Sequence, residues 1–200
     1  MFYVNNRNSF RLFGGPLVKG REKKMKVTMV MLTSVDGRIT KGPDTDIYKW
    51  TSSEDQKYFF SLIKKNNLII MGRSTYEASK PVIKLEKGKL RIVLTRSPNK
   101  YSNQLVKGQL EFSDEVPEKL LKRLSLLGYK KLLLVGGGIT NGLFLKLNLV
   151  DELYLTIEPR IFGEGKNIVE GRLLNKFLRL TGIEKLNKTG TVVLKYKIKK

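Results

Sequence analysis

Glycine turns that follow apolar runs are the features of this sequence best suited to chemistry. One apolar run ends in three glycines, Gly136, Gly137 and Gly138, and a helical pattern begins at once with Ile139 and Thr140. Glycine lets a ligand approach the backbone closely, and the free N–H groups of a first helical turn attract anions. The segment therefore predicts a phosphate site, with a tight strand-to-helix turn that binds no ligand as the alternative.

Two further apolar runs end in residues of the same kind. The second run closes with a glycine that opens a helix, and the third closes with polar and basic side chains. The residues concerned are Gly72, Arg73, Ser74 and Thr75 at the second run, and Thr95, Arg96 and Ser97 at the third. Because ligands of open α/β sheets lie beyond the carboxyl ends of the strands, the three ends together predict a dinucleotide site. Each glycine turn would hold one phosphate, and Arg96 with Ser97 would meet a third anion, such as the 2′-phosphate of NADP.

Strands and helices that alternate along the chain would position these residues in one sheet. Short segments rich in apolar residues predict strands at 27–33, 68–71, 90–95, 131–135 and 151–158. The chain closes with two alternating segments joined by a turn, which predicts an antiparallel hairpin. We therefore predict an α/β fold with a mixed, mostly parallel sheet flanked by helices and a C-terminal antiparallel hairpin.

A long polar loop and two helices complete the predicted domain. The loop between the first strand and Trp50 is longer than most connections, which is typical of a binding lid. Thr51 and Glu54 form a capping-box pattern that predicts the start of the next helix, whose aromatic and aliphatic residues would form a buried face. Pro117 suits the first turn of a later helix, and Leu127 would belong to its apolar face.

The composition excludes several kinds of chemistry. The 200 residues include no cysteine and no histidine, which removes disulfides, thiolate and Ser-His-Asp catalysis and nearly every zinc site. Proton transfer must then use aspartate, glutamate, lysine, tyrosine or water, and we expect no metal site. No apolar run approaches the roughly 20 residues that span a bilayer. We therefore expect a cytoplasmic protein with no membrane partner.

The net charge of +21, from 39 lysines and arginines against 18 acidic residues, favours polyanionic partners. The basic residues are scattered, which indicates a solvated basic surface and makes nucleic acid an unlikely partner. A basic nucleic-acid-binding protein stays open as the alternative of another class. Residues 1–24 show no sustained period and carry six basic residues against one acidic residue. We predict a flexible basic leader there, followed by one domain over 25–200.

A Rossmann dinucleotide fingerprint is another interpretation of the triple glycine, with Glu158 as the acidic ribose contact at the end of the next strand. The third glycine of that fingerprint is missing, because Asn141 occupies its position. The motif also lies late in the chain instead of in an opening strand–helix–strand unit. Both departures make this interpretation the weaker one.

Several motifs in order resemble the dihydrofolate-reductase-like superfamily, and within it most closely the reductase domain of riboflavin biosynthesis. They are TSVDGRIT, IIMGRSTYEA, RIVLTRS, LLLVGGGITNGLF, LVDELYLTIEPRIFGEGKNI and the ending TVVLKYKIKK. The resemblance covers about residues 26–199. It implies NADPH as the hydride donor, a phosphorylated small-molecule substrate and a homodimer. It also implies that 72–75 and 136–140 hold the pyrophosphate side of the cofactor, and 95–97 the adenosine 2′-phosphate side.

The same resemblance assigns the substrate end. Asp36 in the Ser-Val-Asp-Gly motif would bind or protonate the substrate, although Asp-Gly is also ordinary turn chemistry. The other residues that it implies for substrate binding are Thr33, Ser34, Asn141 and Glu158. Asp55 after Trp50 resembles the carboxylate of a pterin-binding helix, with capping of the helix N-terminus as the alternative. True dihydrofolate reductases carry a tyrosine shortly after the glycines, where this chain has Thr140 and Asn141.

The sequence thus predicts an NADPH-dependent reductase, with Asp36 and Asp55 as the candidate catalytic residues. The predicted substrate is 5-amino-6-(5-phosphoribosylamino)uracil, or its diamino-pyrimidinone analogue, from riboflavin synthesis. A dihydrofolate or pterin reductase is the alternative. A partner deaminase domain is not expected in this chain, because its zinc ligands need cysteine and histidine.

Overall fold

The computed structural model of the protein describes residues 25–171 and 174–199. The predicted leader 1–24 lies outside the described residues. None of the described helices is both long enough and apolar enough to cross a membrane.

Eight strands of the described residues form one mixed sheet. They are β1 (Lys26–Ser34), β2 (Leu68–Gly72), β3 (Leu90–Leu94), β4 (Leu110–Ser113), β5 (Lys131–Leu134), β6 (Glu152–Glu158), β7 (Leu178–Lys185) and β8 (Val192–Ile198). Their order across the sheet is β4-β3-β2-β5-β1-β6-β8-β7. The pairs from β4 to β6 are parallel, whereas β8 is antiparallel to both β6 and β7. The predicted mixed α/β fold with a C-terminal hairpin is confirmed.

Helices cover both faces of the sheet. They are α1 (Ser53–Lys64), α2 (Arg73–Ser79), α3 (Pro117–Leu126) and α4 (Gly138–Lys146), with short 3-10 turns at Ile47–Lys49, Lys80–Val82 and Pro98–Gln104. On one face, Leu120 and Leu124 of α3 and Phe144 of α4 are fully buried against the strands. On the other face, Tyr76 of α2 is buried and the apolar side chains of α1 pack against the edge of the core. The sheet therefore has two apolar layers, as strands buried on both faces require.

Three local predictions about the helices are wrong. The N-cap of α1 is Ser52, whose hydroxyl accepts a hydrogen bond from the backbone N–H of Asp55, so the predicted capping box at Thr51 and Glu54 is one residue too early. The apolar side chains of α1 are only partly buried, because this face of the helix lines an open cleft. Leu127 lies beyond the end of α3 and is 64% exposed.

Candidate active site

A cleft of about 1260 Å³ crosses the sheet on the side that α1 and α2 cover. This volume exceeds the usual range for a single drug-sized ligand, roughly 300–1,000 Å³, so the cleft has room for two small molecules. Its walls come from the carboxyl ends of β2 and β3, the start of α4, the inner face of α1 and the long loop that follows β1. The loop predicted to be a lid therefore forms one wall of the cleft, through residues that include Thr40, Ile47 and Tyr48.

The structure brings the three predicted strand ends together at one edge of this cleft. The residues that line it there are Gly72, Arg73, Ser74, Thr75, Thr95, Arg96, Ser97, Gly137, Gly138, Ile139 and Thr140. The strand ends are tied by the N–H of Gly72, which donates to the carbonyl of Gly136 at 2.8 Å. Arg73, Arg96 and Ser97 are exposed. The edge of the cleft therefore offers two exposed guanidinium groups and free polar side chains to an anionic ligand.

The three glycines that open α4 differ in their surroundings. Gly136 is buried with a φ of +88°, a conformation that favours glycine, and its peptide bond to Gly137 is cis. A Cβ on Gly138 would lie 2.5 Å from the carbonyl oxygen of Asn167, so the segment after β6 packs directly on this helix start. A Cβ on Gly137 would meet only the hydroxyl of Thr75, at 3.3 Å. The absence of side chains at Gly137 and Gly138 thus leaves the cleft edge open and lets the chain pack behind it.

Asn141, predicted as a substrate contact, lies behind the cleft wall. Its side chain is fully buried, and Nδ2 donates to the carbonyl of Ile168 at 2.7 Å. Its Oδ1 has no hydrogen-bond partner among the described residues. Asn141 therefore anchors the segment that packs on α4, in contrast to Ile139, which is 71% exposed and faces the cleft.

Asp55 is the carboxylic acid that lies inside the cleft. The residue is only 6% exposed, and the Thr156 hydroxyl hydrogen-bonds to its carboxyl group. Burial raises the pKa of Asp55 from 3.8 to about 6; the Thr156 hydrogen bond opposes this shift, and the charge of Glu158 adds to it. A carboxyl group with a pKa near neutrality can both donate and accept a proton, which is the property of a general acid.

Asp36 occupies a different environment, outside the cleft lining. Its Oδ1 accepts hydrogen bonds from the Ser34 hydroxyl at 2.6 Å and the Phe162 N–H at 3.1 Å, and its Oδ2 accepts one from the Gly163 N–H at 2.8 Å. The Ser34 hydrogen bond and these backbone donors lower the pKa of Asp36 to about 2 against a smaller opposing effect of desolvation. The group is therefore ionised at neutral pH, and its carboxylate fixes the loop after β6 to the end of β1.

Thr33, Ser34 and Glu158, the other predicted substrate contacts, also have protein partners. The Thr33 hydroxyl donates to the carbonyls of Ser34 and Arg38, at 3.0 and 3.2 Å. The Glu158 carboxylate is 3% exposed and accepts hydrogen bonds from Ser52 and Thr191. These residues build the turn after β1 and the start of α1, and they support the cleft from behind.

Several cleft residues carry no local sequence signal. Thr156 faces Asp55 from β6, and Tyr48 and Tyr58 line the same space with polar groups attached to rings. Arg91 reaches the cleft from the interior of β3. A strand threonine and a strand arginine look unremarkable in sequence, since only the tertiary fold sets them against the cleft.

The fold and the cleft define a dihydrofolate-reductase-like α/β protein. A dihydrofolate reductase from Enterococcus faecalis complexed with NADP(H) and RAB-propyl superposes with a TM-score of 0.60 at 19% identity, covering 88% of this chain and 98% of that one. A diaminohydroxyphosphoribosylaminopyrimidine deaminase/5-amino-6-(5-phosphoribosylamino)uracil reductase from Thermotoga maritima superposes with a TM-score of 0.70 at 16% identity. That match covers 88% of this chain and 57% of that one.

The chain belongs to the RibD C-terminal domain family, whose model matches residues 25–193. It is also 30% identical over 146 residues to a putative dihydrofolate reductase of Caenorhabditis elegans, covering 68% of this chain and 72% of that protein. Membership of the family makes the protein a reductase of the riboflavin-biosynthesis type in general terms.

Proposed function

We propose that the protein is an NADPH-dependent reductase of a planar aminopyrimidine, with 5-amino-6-(5-phosphoribosylamino)uracil or its diamino-pyrimidinone analogue as the first candidate substrate. The observation that carries this proposal is the position of Asp55. Its carboxyl group is buried in the same continuous cleft that the three strand ends edge. A nicotinamide cofactor at that edge and a heterocycle beside Asp55 would therefore share one cavity.

The cofactor end of the proposal uses the polar edge of the cleft. Arg73, Ser74 and Thr75 would bind the pyrophosphate, together with the backbone around Gly137 and Gly138. Arg96 and Ser97 would bind the adenosine 2′-phosphate, because a guanidinium group can hold a phosphate through two parallel hydrogen bonds. When bound, NADPH supplies the hydride. The residues of the chain fix its orientation and exclude water from the cleft.

The substrate end uses Asp55 and the aromatic residues around it. Ionised Asp55 would accept hydrogen bonds from the amino group and ring N–H of an aminopyrimidine, and protonated Asp55 would supply a proton as the hydride arrives. Tyr48, Tyr58 and Phe59 line the cleft and would contact the ring. Asp36, held by Ser34, Phe162 and Gly163, would act by fixing the loop after β6 instead of by donating a proton.

The proposal is tested by the loss of nicotinamide absorbance when NADPH is mixed with the protein and each candidate heterocycle. We expect turnover of the phosphoribosylamino-pyrimidine, and a higher KM with NADH, which lacks the 2′-phosphate. An Arg96→Met variant would narrow the difference between the two cofactors. Absence of NADPH binding in a direct titration would overturn the proposal.

Reduction of a dihydropterin is the second candidate function. Two observations favour it: Asp55 lies on the helix that lines the cleft, where its carboxyl group can pair with a pterin ring, and the Caenorhabditis elegans relative is named a putative dihydrofolate reductase. Dihydrofolate in the same assay distinguishes the candidates, since each predicts that its own heterocycle has the higher kcat/KM.

We further propose that the protein is a cytoplasmic homodimer. Leu178, Leu180 and Ile183 of the edge strand β7 are exposed apolar residues, and burial against a second copy would remove them from water. Light scattering coupled to gel filtration tests this, and a monomer at micromolar concentration would contradict it. Nucleic acid is not part of the proposal, although retention of DNA or RNA by a protein lacking residues 1–24 would favour that alternative.

A further inference from the structure

Arg91 is a charged residue in the interior of a buried strand. Its side chain is 6% exposed and lines the cleft from β3. The residues paired with it on the neighbouring strands are Ile69 of β2 and Leu110 of β4, both buried. A guanidinium group in such a position costs free energy unless an anion compensates its charge.

The protein itself compensates this charge only in part. Nη1 of Arg91 has no hydrogen-bond partner in the part of the chain that the structure describes, although this atom is fully buried. The closest carboxylate is that of Glu86, 4.0 Å from Nη2, which is beyond hydrogen-bond distance. Lys89 donates to both oxygens of the same carboxylate, at 3.2 and 3.1 Å. Two cations therefore share one anion, and a positive charge with free N–H groups remains beside the cleft.

The electrostatics of the group agree with this geometry. Burial lowers the pKa of Arg91, and the charge of Glu86 opposes the shift only partly. Lys84, another lysine of the loop before β3, also lines the cleft. The acceptor that this surrounding lacks is an oxyanion, since an arginine fork matches the oxygens of a phosphate or a carboxylate.

The position of Arg91 separates it from the cofactor edge. Thr95 follows the end of β3, four residues after Arg91, which corresponds to about 13 Å along an extended strand. The 2′-phosphate proposed to lie at Arg96 and Ser97 is therefore too far away to meet the guanidinium group. An anion beside Arg91 must belong to the other molecule in the cleft.

We propose that Arg91 forms a subsite for the anionic tail of the substrate, a phosphate or carboxylate group that pairs with its free Nη1. This rests on the proposed function, in which the second molecule in the cleft is a heterocycle held by Asp55. The phosphate of a phosphoribosylamino-pyrimidine and the glutamate of a dihydrofolate are the two sources of such an oxyanion. The subsite thus requires a substrate that carries a tail, and a bare pyrimidine or pterin would leave it empty.

Substrate fragments test the subsite independently of turnover. The probes are ribose 5-phosphate for the phosphate tail and 4-aminobenzoylglutamate for the carboxylate tail, each added to the full chain in a thermal-unfolding assay. We expect one of them to raise the unfolding temperature of the wild type and of Arg179→Met, a control at an exposed arginine of β7. Arg91→Met should remove the effect. The fragment that protects identifies the source of the anion, and protection by neither, or equal protection of Arg91→Met, would overturn the subsite.

Kinetics with paired substrates gives a second test if the protein turns over either heterocycle. Arg91→Met should raise KM for the tailed substrate by at least about tenfold, the usual value of a hydrogen bond to a charged group. KM for the same heterocycle without its tail should stay unchanged. Equal losses with both substrates would contradict the subsite. If no heterocycle is reduced, the proposed function fails, whereas a fragment effect that depends on Arg91 would still support the anion site.

The stability of the ligand-free variant separates the subsite from a structural ion pair. Replacing an uncompensated buried cation by methionine, which has a similar volume, should leave the unfolding temperature unchanged or raise it. A clear fall in this temperature for Arg91→Met would mean that Glu86 already satisfies the arginine. That result would contradict the proposal.

Discussion

Glu158 accepts two hydrogen bonds from Ser52, one from the backbone N–H and one from the hydroxyl, each at 2.7 Å. Its second carboxylate oxygen accepts a hydrogen bond from the Thr191 hydroxyl at 2.8 Å. Because Ser52 is the N-cap of α1 and Asp55 lies in its first turn, Glu158 connects β6 and the stretch before β8 to the helix that carries the cleft carboxyl group. The position of Asp55 therefore depends on a buried carboxylate that lies outside the cleft lining.

Removal of the Glu158 carboxylate should destabilise the protein strongly. Glu158→Ala leaves the Ser52 and Thr191 donors buried without an acceptor, and we expect a loss of about 3 kcal/mol in the free energy of unfolding. Urea denaturation measures this loss, with Glu164→Ala at an exposed position as the control. Equal stability of the two variants would mean that the Glu158 hydrogen bonds do not hold α1 in place.

Asp55 should lower stability at neutral pH. Its pKa of about 6 exceeds the ordinary value of 3.8, so the folded state binds the proton more tightly than the unfolded chain does. Stability is therefore highest below about pH 4, falls as pH rises from about 4 to about 6, and stays reduced by about 3 kcal/mol above that window. Asp55→Asn should remove this pH dependence and raise the unfolding temperature at pH 7. Thermal unfolding of both proteins across this range measures the effect, and an Asn variant less stable than the wild type at pH 7 would contradict it.

Asp36→Asn should loosen a loop without changing the acid that titrates in catalysis. The amide can keep one acceptor for Ser34 or Phe162, but its NH₂ group cannot accept the hydrogen bond that the Gly163 N–H now donates. We expect faster proteolysis within 160–166 and a higher KM, with the acid limb of the pH–rate profile in place. If that limb disappears in Asp36→Asn, the proton donor is Asp36 and not Asp55.

Gly142 of α4 should not tolerate a side chain. Alanine at a glycine in a helix interior usually stabilises the helix by up to about 1 kcal/mol. Here, however, a Cβ on Gly142 would overlap the carbonyl oxygen of Glu170. We expect Gly142→Ala to lower the free energy of unfolding by roughly 1–3 kcal/mol. Gly182→Ala, where the nearest atom to the new Cβ is 3.6 Å away, serves as the control. A stabilised Gly142→Ala variant would show that the segment after β6 does not pack on α4.

Local signals were sufficient to predict the sheet and the polar edge of the cleft. Each strand end joins an apolar run to glycine or to a polar side chain, and both signals are contained in a few consecutive residues. The cap of α1 shows where such signals fail. Thr51, Ser52 and Ser53 are all suitable N-caps, and the choice of Ser52 agrees with its bonds to Glu158, which is distant in sequence.

The roles of individual carboxylates depend on contacts that no short pattern contains. Asp36 and Glu158 both lie at strand ends, where exposure to a ligand was expected. In the structure their partners come from the loop at Phe162 and from Thr191 before β8. Asp55 receives its burial and its Thr156 partner in the same way. A one-dimensional sequence identifies these acids as candidates, but the hydrogen-bond donors around each acid determine its pKa.

The rate of NADPH oxidation by the wild type and by Asp55→Asn, measured with a tailed aminopyrimidine and with dihydrofolate, tests the central claim most directly. We predict turnover of at least one of the two substrates by the wild type. We also predict a loss of about 100-fold or more in kcat/KM for Asp55→Asn, the usual contribution of a positioned general acid. Full activity of Asp55→Asn with its preferred substrate would contradict the assignment of this carboxyl group. Absence of any oxidation by a wild type that binds no NADPH would contradict the reductase itself.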